Sequence, residues 1–94
     1  MPNYSVAPVS SPMDFSLEKL IAQATLASKQ FEGNSPEWLY RRGIAMSMQG
    51  CQASALGMLF LLRNDEGQQG TVRKFLTHVS SSNQRIFEKA LAAV

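Results

Sequence analysis

Cys51 and His78 are the residues of this chain best suited to chemistry, and they are its single cysteine and its single histidine. A thiol becomes a nucleophile when a helix N-terminus or a cation stabilises its thiolate and a base stands within reach. Cys51 follows a predicted turn and so lies near a helix start, but nothing in the sequence places a base beside it, and its expected role is that of a small packing residue. His78 stands between Thr77 and Val79 with no nucleophile or carboxylate set against it, which reads as a surface or helix-end histidine. Zinc takes four ligands, or three and a water, and one thiol with one imidazole do not supply them. Asp65 and Glu66 are the adjacent acidic pair, on a loop, where adjacency alone makes neither an acid/base couple nor a cation site. Gly67 and Gly70 lack the lysine, serine and strand of a phosphate loop. The expectation is a protein that is not an enzyme and uses no cofactor or metal.

The elements that carry these residues centre on the stretch 36–64, PEWLYRRGIAMSMQGCQASALGMLFLLRN, which reads as two short helices folded back at Gly50. Ser35, Pro36 and Glu37 supply an N-cap, a proline tolerated at the first helical position and an early acidic residue favoured by the helix dipole. Leu39, Ile44 (or Gly43), Met46 and Met48 give an apolar run without strand alternation, and Gly50 stands where a left-handed cap costs least, so the helix should stop near Gln49. From Gln52 the residues Ala55, Leu56, Leu59, Phe60 and Leu62 recur at spacings of three and four and share one face of a second helix. Gly43 and Ala45 facing Ala53, Ala55 and Gly57 would let the two backbones approach closely. Replacing Gly43 by leucine should overfill that contact at a cost of about 1–3 kcal/mol.

Residues 1–11 contain Pro2 and Pro8 among serines and small apolar residues, with no helical or strand period, and read as an extended arm that is either a simple tail or a segment packing on a partner through Tyr4, Val6 and Val9. Residues 12–94 then form one helical domain. Ser11, Pro12 and Asp14 start a helix whose apolar face, Leu17, Leu20, Ile21, Ala24, Ala27 (or Ser28) and Phe31, runs until Gly33 and Asn34. After the polar linker 64–70, Thr71 is placed to cap a helix carrying Val72, Phe75, Leu76 and Val79. Ser80, Ser81, Ser82 and Asn83 interrupt the chain with side chains that compete for backbone hydrogen bonds, before a last stripe of Ile86, Phe87, Ala90, Leu91 and Val94. The fold class is all-α, with four or five short helices in antiparallel hairpins according to whether the last two fuse.

A chain of 94 residues makes one domain with a modest core, so stability should be marginal without a partner. The apolar share of 45% is ordinary and β-branched runs are scarce, which favours helix over sheet. No basic leader precedes an apolar signal-length run and no stretch reaches membrane-spanning length, so a cytoplasmic protein without a membrane span is expected. A net charge of +2 admits a small basic DNA-binding regulator, with Arg41, Arg42, Arg63, Arg73, Lys74, Arg85 and Lys89 as phosphate contacts. These cations are dispersed rather than clustered, and the helix after Gly50 is apolar where a recognition helix would carry Arg, Asn or Gln. Such a face suits protein better than bases. Met46, Met48 and Met58 either fill a core or line an adaptable groove, and Trp38 and Tyr40 either anchor the hairpin entrance or contact a ligand. The ligand of such a groove would be an amphipathic helix inserting residues at i, i+3, i+4 and i+7. Burial of a leftover stripe between copies, giving a self-associating structural subunit, is a third possibility.

Gly43, Met46, Ala55 and Leu59 stand at the intervals of one tetratricopeptide unit, with Gly50 at the inter-helix turn, so the hairpin resembles that family over roughly a third of the chain. Trp38 stands one residue early for the usual aromatic, Arg42 replaces a usual leucine, and Gly67 stands near where a proline would close the repeat. The hairpin followed by a Ser/Asn break and a terminal apolar helix is also similar to the C-terminal half of the small tetratricopeptide-like chaperones of type III secretion needle subunits. That resemblance implies a concave side holding the C-terminal helix of a secreted, polymerising subunit as a monomer, often with a small helical co-chaperone. On positional grounds Trp38, Tyr40, Met46, Leu59 and Phe60 are the residues expected to make the apolar contact.

Overall fold

The computed structural model describes residues 12–94, with side chains from residue 16 onward. The expected arm of residues 1–11, with Tyr4, Val6 and Val9, lies outside the described residues. Five helices are found among them: α1 (Pro12–Ser28), α2 (Pro36–Met48), α3 (Gln52–Arg63), α4 (Gln69–Thr77) and α5 (Ser81–Ala93). The protein is all-α, and no helix among the described residues is long and apolar enough to cross a membrane.

Local sequence sets most of the boundaries. The Ser35 hydroxyl oxygen accepts from the Trp38 N–H at 3.2 Å, Pro36 occupies the first turn, and α2 starts there as its cap and proline require. At its other end Gly50 takes φ 84°, the Gly50 N–H donates to the Ser47 carbonyl at 3.1 Å, and the Cys51 N–H donates to the Met46 carbonyl at 2.9 Å. This paired 5→2 and 6→1 closure is a Schellman motif, which frees the chain to reverse into α3. The serine and asparagine break resolves more finely. Ser80 alone stays outside and caps α5, accepting from the Asn83 N–H at 3.2 Å, while Ser81, Ser82 and Asn83 are its first turn. α4 and α5 remain separate helices.

Two boundaries differ from the sequence expectation. α1 ends at Ser28 rather than at Gly33, because the chain winds on through i→i+3 bonds, Gln30 N–H to the Ala27 carbonyl and Phe31 N–H to the Ser28 carbonyl, both at 3.0 Å. α4 starts at Gln69, two residues before the expected Thr71 cap. Gly67 reverses the chain at φ 88°, and the Thr71 hydroxyl donates to Gln68 Oε1 at 2.8 Å instead of receiving a backbone N–H.

α3 is the centre of the fold. Its residues from Ala55 to Phe60 are all buried, as is Leu62, so this helix is covered on every side and not on one face as its spacing suggested. No charged residue stands between Gln52 and Leu62, and a helix apolar all round must be enclosed. α1 and α2 both pack on α3 and contact each other little, while α4 leans on α2 and α3 and α5 closes against α1, α3 and α4. The expected small-residue seam is distributed differently. A methyl placed on Gly57 would stand 2.8 Å from the Ala24 carbonyl oxygen and 3.0 Å from the Ser28 nitrogen, so this glycine lets the α1 backbone touch α3. A methyl on Gly43 would meet Phe75 Cε2 at 2.3 Å, so this one admits an aromatic ring from α4.

Candidate functional site: the outer surface of α2 and its cleft with α4

α2 buries one face, Leu39, Gly43 and Ser47, half-buries Tyr40, Ile44 and Met46 beside it, and presents the remaining side outward. The five residues expected to form an apolar contact separate on this frame. Leu59 and Phe60 lie in the interior, at 0% and 7% exposure, and are spent on the packing of α3. Met46 is half-buried and packs against the core. Trp38, 39% exposed, and the half-buried Tyr40 remain accessible, but two helical residues apart places them about 200° apart around the axis, on opposite flanks of α2. The structure therefore gives two neighbouring surfaces rather than one concave set.

On the first flank Trp38 meets Phe31 from the α1–α2 connection, with ring centroids 6.1 Å apart and planes tilted by 43°. Met48, one of the most exposed apolar side chains at 80%, stands at the far end of the same helix. On sequence Met48 reads, with Met46 and Met58, as core or groove, and it is not among the five expected contact residues. The signal was available, because Met48 falls about 100° to 180° around the helix from Ser47, Gly43 and Leu39.

On the second flank α2 and α4 enclose an open cleft of about 390 Å³ lined by Pro36, Glu37, Tyr40, Arg41, Gln68, Thr71 and Lys74. The Tyr40 ring stands edge-on to Phe75 at 6.4 Å and to His78 at 6.2 Å, which fixes its orientation. Lys74 reaches over the same ring, its Nζ 5.4 Å from the centroid, in a cation–π contact. Arg41 pairs with Glu37 at 2.9 Å, one helical turn away. Both of these side chains are largely exposed, so the pair stabilises the fold little and can exchange partners. Gln68 is held by the Thr71 hydroxyl through Oε1.

His78 ends α4 and serves its architecture. Its Nδ1 lies 2.8 Å from the Lys74 carbonyl, and because a carbonyl only accepts, this contact is a hydrogen bond in the tautomer that carries the proton on Nδ1. The Tyr40 hydroxyl stands at the edge of hydrogen-bond range from the same nitrogen, at 3.5 Å. Cys51 is exposed at the start of α3 and makes no side-chain capping bond. Among the described residues no group of three or more His, Cys, Asp or Glu side chains converges on a point that would hold a metal ion.

Arg63, Arg41 and Lys74, three of the cations weighed as phosphate contacts, have partners on this frame. Arg63 turns inward, where Nη1 donates to the Leu91 carbonyl and Nε to Asn64 Oδ1, both at 3.2 Å, tying the ends of α3 and α5. Arg41 and Lys74 belong to the cleft. Comparison of the chain with family models, with curated proteins and with solved structures finds no match in any of the three.

Proposed function

We propose that this chain is a non-enzymatic helical module that binds another protein by holding an amphipathic helix of it. The observation that supports this most directly is the asymmetry of α2, whose inner face is fully used while Trp38, Met48 and the Tyr40 cleft face outward. Tryptophan and tyrosine presented on a rigid helix are the residue types that most often carry binding energy at protein interfaces. Of the five contact residues, Trp38, Tyr40 and the half-buried Met46 keep that role, joined by Met48; Leu59 and Phe60 support the surface from below. In its finer form the proposal makes α2 and α3 a tetratricopeptide-like unit, with α4 stacking on both helices and Gly43 admitting its Phe75 ring. It further makes the chain a cytoplasmic type III secretion chaperone, which keeps the C-terminal helix of a polymerising subunit apart from its own kind with help from a small helical co-chaperone.

The nucleic-acid alternative draws less support, since the Arg63 guanidinium is tied to the Leu91 carbonyl and to Asn64 and Arg41 already has a carboxylate. The test is purification of the untagged chain from its host, with mass spectrometry of what accompanies it. One stoichiometric helical polypeptide is expected, and Trp38→Ala and Tyr40→Ala should each weaken its retention about tenfold or more without changing the circular dichroism of the chain. Retention insensitive to both substitutions would defeat the proposal. A mass that grows with concentration in the chain alone would instead favour self-association.

A further inference from the structure

The geometry points to a charge preference in the α2–α4 cleft: it receives an acidic residue on the flank of the partner's amphipathic helix. This rests on the reading of the chain as a protein-binding module and specifies which partner helices it accepts. Around Tyr40 the cleft collects hydrogen-bond donors of several kinds, the Lys74 ammonium, the Arg41 guanidinium, the Gln68 amide and the Tyr40 hydroxyl, against one carboxylate, Glu37. Glu37 is already engaged by Arg41 at 2.9 Å. Lys74 has no carboxylate within ion-pair distance among the described residues; its ammonium leans over the Tyr40 ring, 5.4 Å from the centroid. The Gln68 oxygen accepts from Thr71, which leaves the amide N–H groups of that side chain as its contribution to the cleft.

A carboxylate entering beside Tyr40 would therefore find Lys74 and Gln68 as donors and could draw Arg41 from its exposed pair with Glu37. Pro36 and the Tyr40 ring supply apolar contact for the methylene or leucine carbons that accompany an acidic residue on an amphipathic helix. A nucleic-acid backbone fits worse. Successive phosphates need a track of cations, and here Glu37 stands in the wall beside the cations that would receive them.

Two synthetic helical peptides with the same leucine stripe at i, i+3, i+4 and i+7, one flanked by glutamates and one by lysines, test this by NMR titration of the full chain. The glutamate peptide should bind roughly fivefold tighter than the lysine peptide and shift the amides of 37–41 and 68–74. Lys74→Glu should reverse that order, with an unchanged circular dichroism spectrum as the control, because Lys74 is an exposed residue whose loss costs only the cation–π contact and a favourable charge in the last turn of α4. Equal binding of the two peptides, an order unaffected by Lys74→Glu, or shifts centred on Phe31 and Trp38 would overturn the charge preference while leaving the protein-binding module standing. Failure of both peptides to bind at millimolar concentration would remove both. A short DNA duplex that shifts the same amides in a Lys74-dependent way would overturn the choice of an acidic helix in favour of phosphate.

Discussion

Helices α2 and α3 are joined through Gly50 and meet the rest of the molecule in opposite ways. α3 is enclosed by all four of the other helices and carries the largest fully buried side chains of the hairpin, Leu56, Met58, Leu59 and Leu62, at 0% exposure. α2 buries only Leu39, Gly43 and Ser47, flanked by the partly buried Tyr40, Ile44 and Met46, and leaves Trp38 and Met48 outside. Each leucine enclosed in α3 contributes about 1.5–3 kcal/mol of burial that its counterpart on the outer side of α2 does not. Stability is therefore concentrated in α3 and in what enters it, and accessible chemistry in α2. A substitution that changes stability should leave recognition to the surviving folded molecules, and a substitution on the outer side of α2 should do the reverse.

The largest effect expected of a single change falls where the two helices share a contact. Phe75 reaches from α4 into the notch of Gly43 and also packs near Phe87, with ring centroids 6.4 Å apart. Phe75→Ala should cost about 3–5 kcal/mol in urea denaturation, through lost burial and the cavity left behind. Gly43→Leu should cost about 1–3 kcal/mol, because its side chain must displace that ring. The two sites touch, so their double mutant should not be additive, and most of the Gly43→Leu penalty should vanish once the ring is gone. Additive costs would show that Gly43 is small for another reason.

That pairing also marks how much was legible in the sequence. The capping residues Ser35, Pro36 and Gly50 determine their structure through bonds to neighbours a few residues away, and both ends of α2 and the start of α3 followed from them. The smallness of Gly43 was legible, but its partner was not, because Phe75 lies in a helix whose docking depends on the whole assembly. Leu59 and Phe60 illustrate the same gap. A spacing of three and four shows that residues share a face, whereas the covers that α1, α4 and α5 add to the remaining faces are tertiary. Trp38 and Tyr40 were identifiable as amphipathic aromatics and their two-residue spacing already puts them on different flanks of a helix, but what each flank meets, Phe31 on one and Phe75 on the other, depends on the assembly.

Gly57→Ala sharpens the contrast from the α3 side. Its added methyl would press on the backbone at Ala24 and Ser28, which cannot rotate away as a side-chain tip can, so a loss of about 2 kcal/mol is expected although the change adds one carbon and improves helix propensity. A stabilised protein would mean that α1 sits less tightly on α3 than described. A smaller loss, about 1–2 kcal/mol, is expected for Asn83→Ala. Its Nδ2 donates to the Ser47 hydroxyl at 3.0 Å and its Oδ1 accepts from Gln52 Nε2 at 2.6 Å, so one side chain clips the start of α5 to both helices of the hairpin. Removing it leaves the buried Ser47 hydroxyl without that partner. Asn83→Asp should retain part of the stability, since a carboxylate can still accept from Gln52 and from the Ser47 hydroxyl turned about.

The smallest effect on stability should come from Met48→Ser. At 80% exposure the methionine side chain gains almost nothing from folding, it lies one residue before the cap at Gln49, and the closure of the turn depends on backbone groups of Met46, Ser47, Gly50 and Cys51. The melting midpoint should correspond to a change within about 0.5 kcal/mol. Recognition should respond differently, because a flexible thioether is well suited to irregular apolar contact and serine removes both its area and its adaptability. The contrast between the two helices requires the two readouts to part company at this position: a Met48→Ser chain that melts normally but retains its partner less well places binding on the outer side of α2. If the same substitution instead lowers the melting point as much as Gly57→Ala does, Met48 is covered in the folded chain, and α2 no longer differs from α3 in the way that gives it a surface to offer.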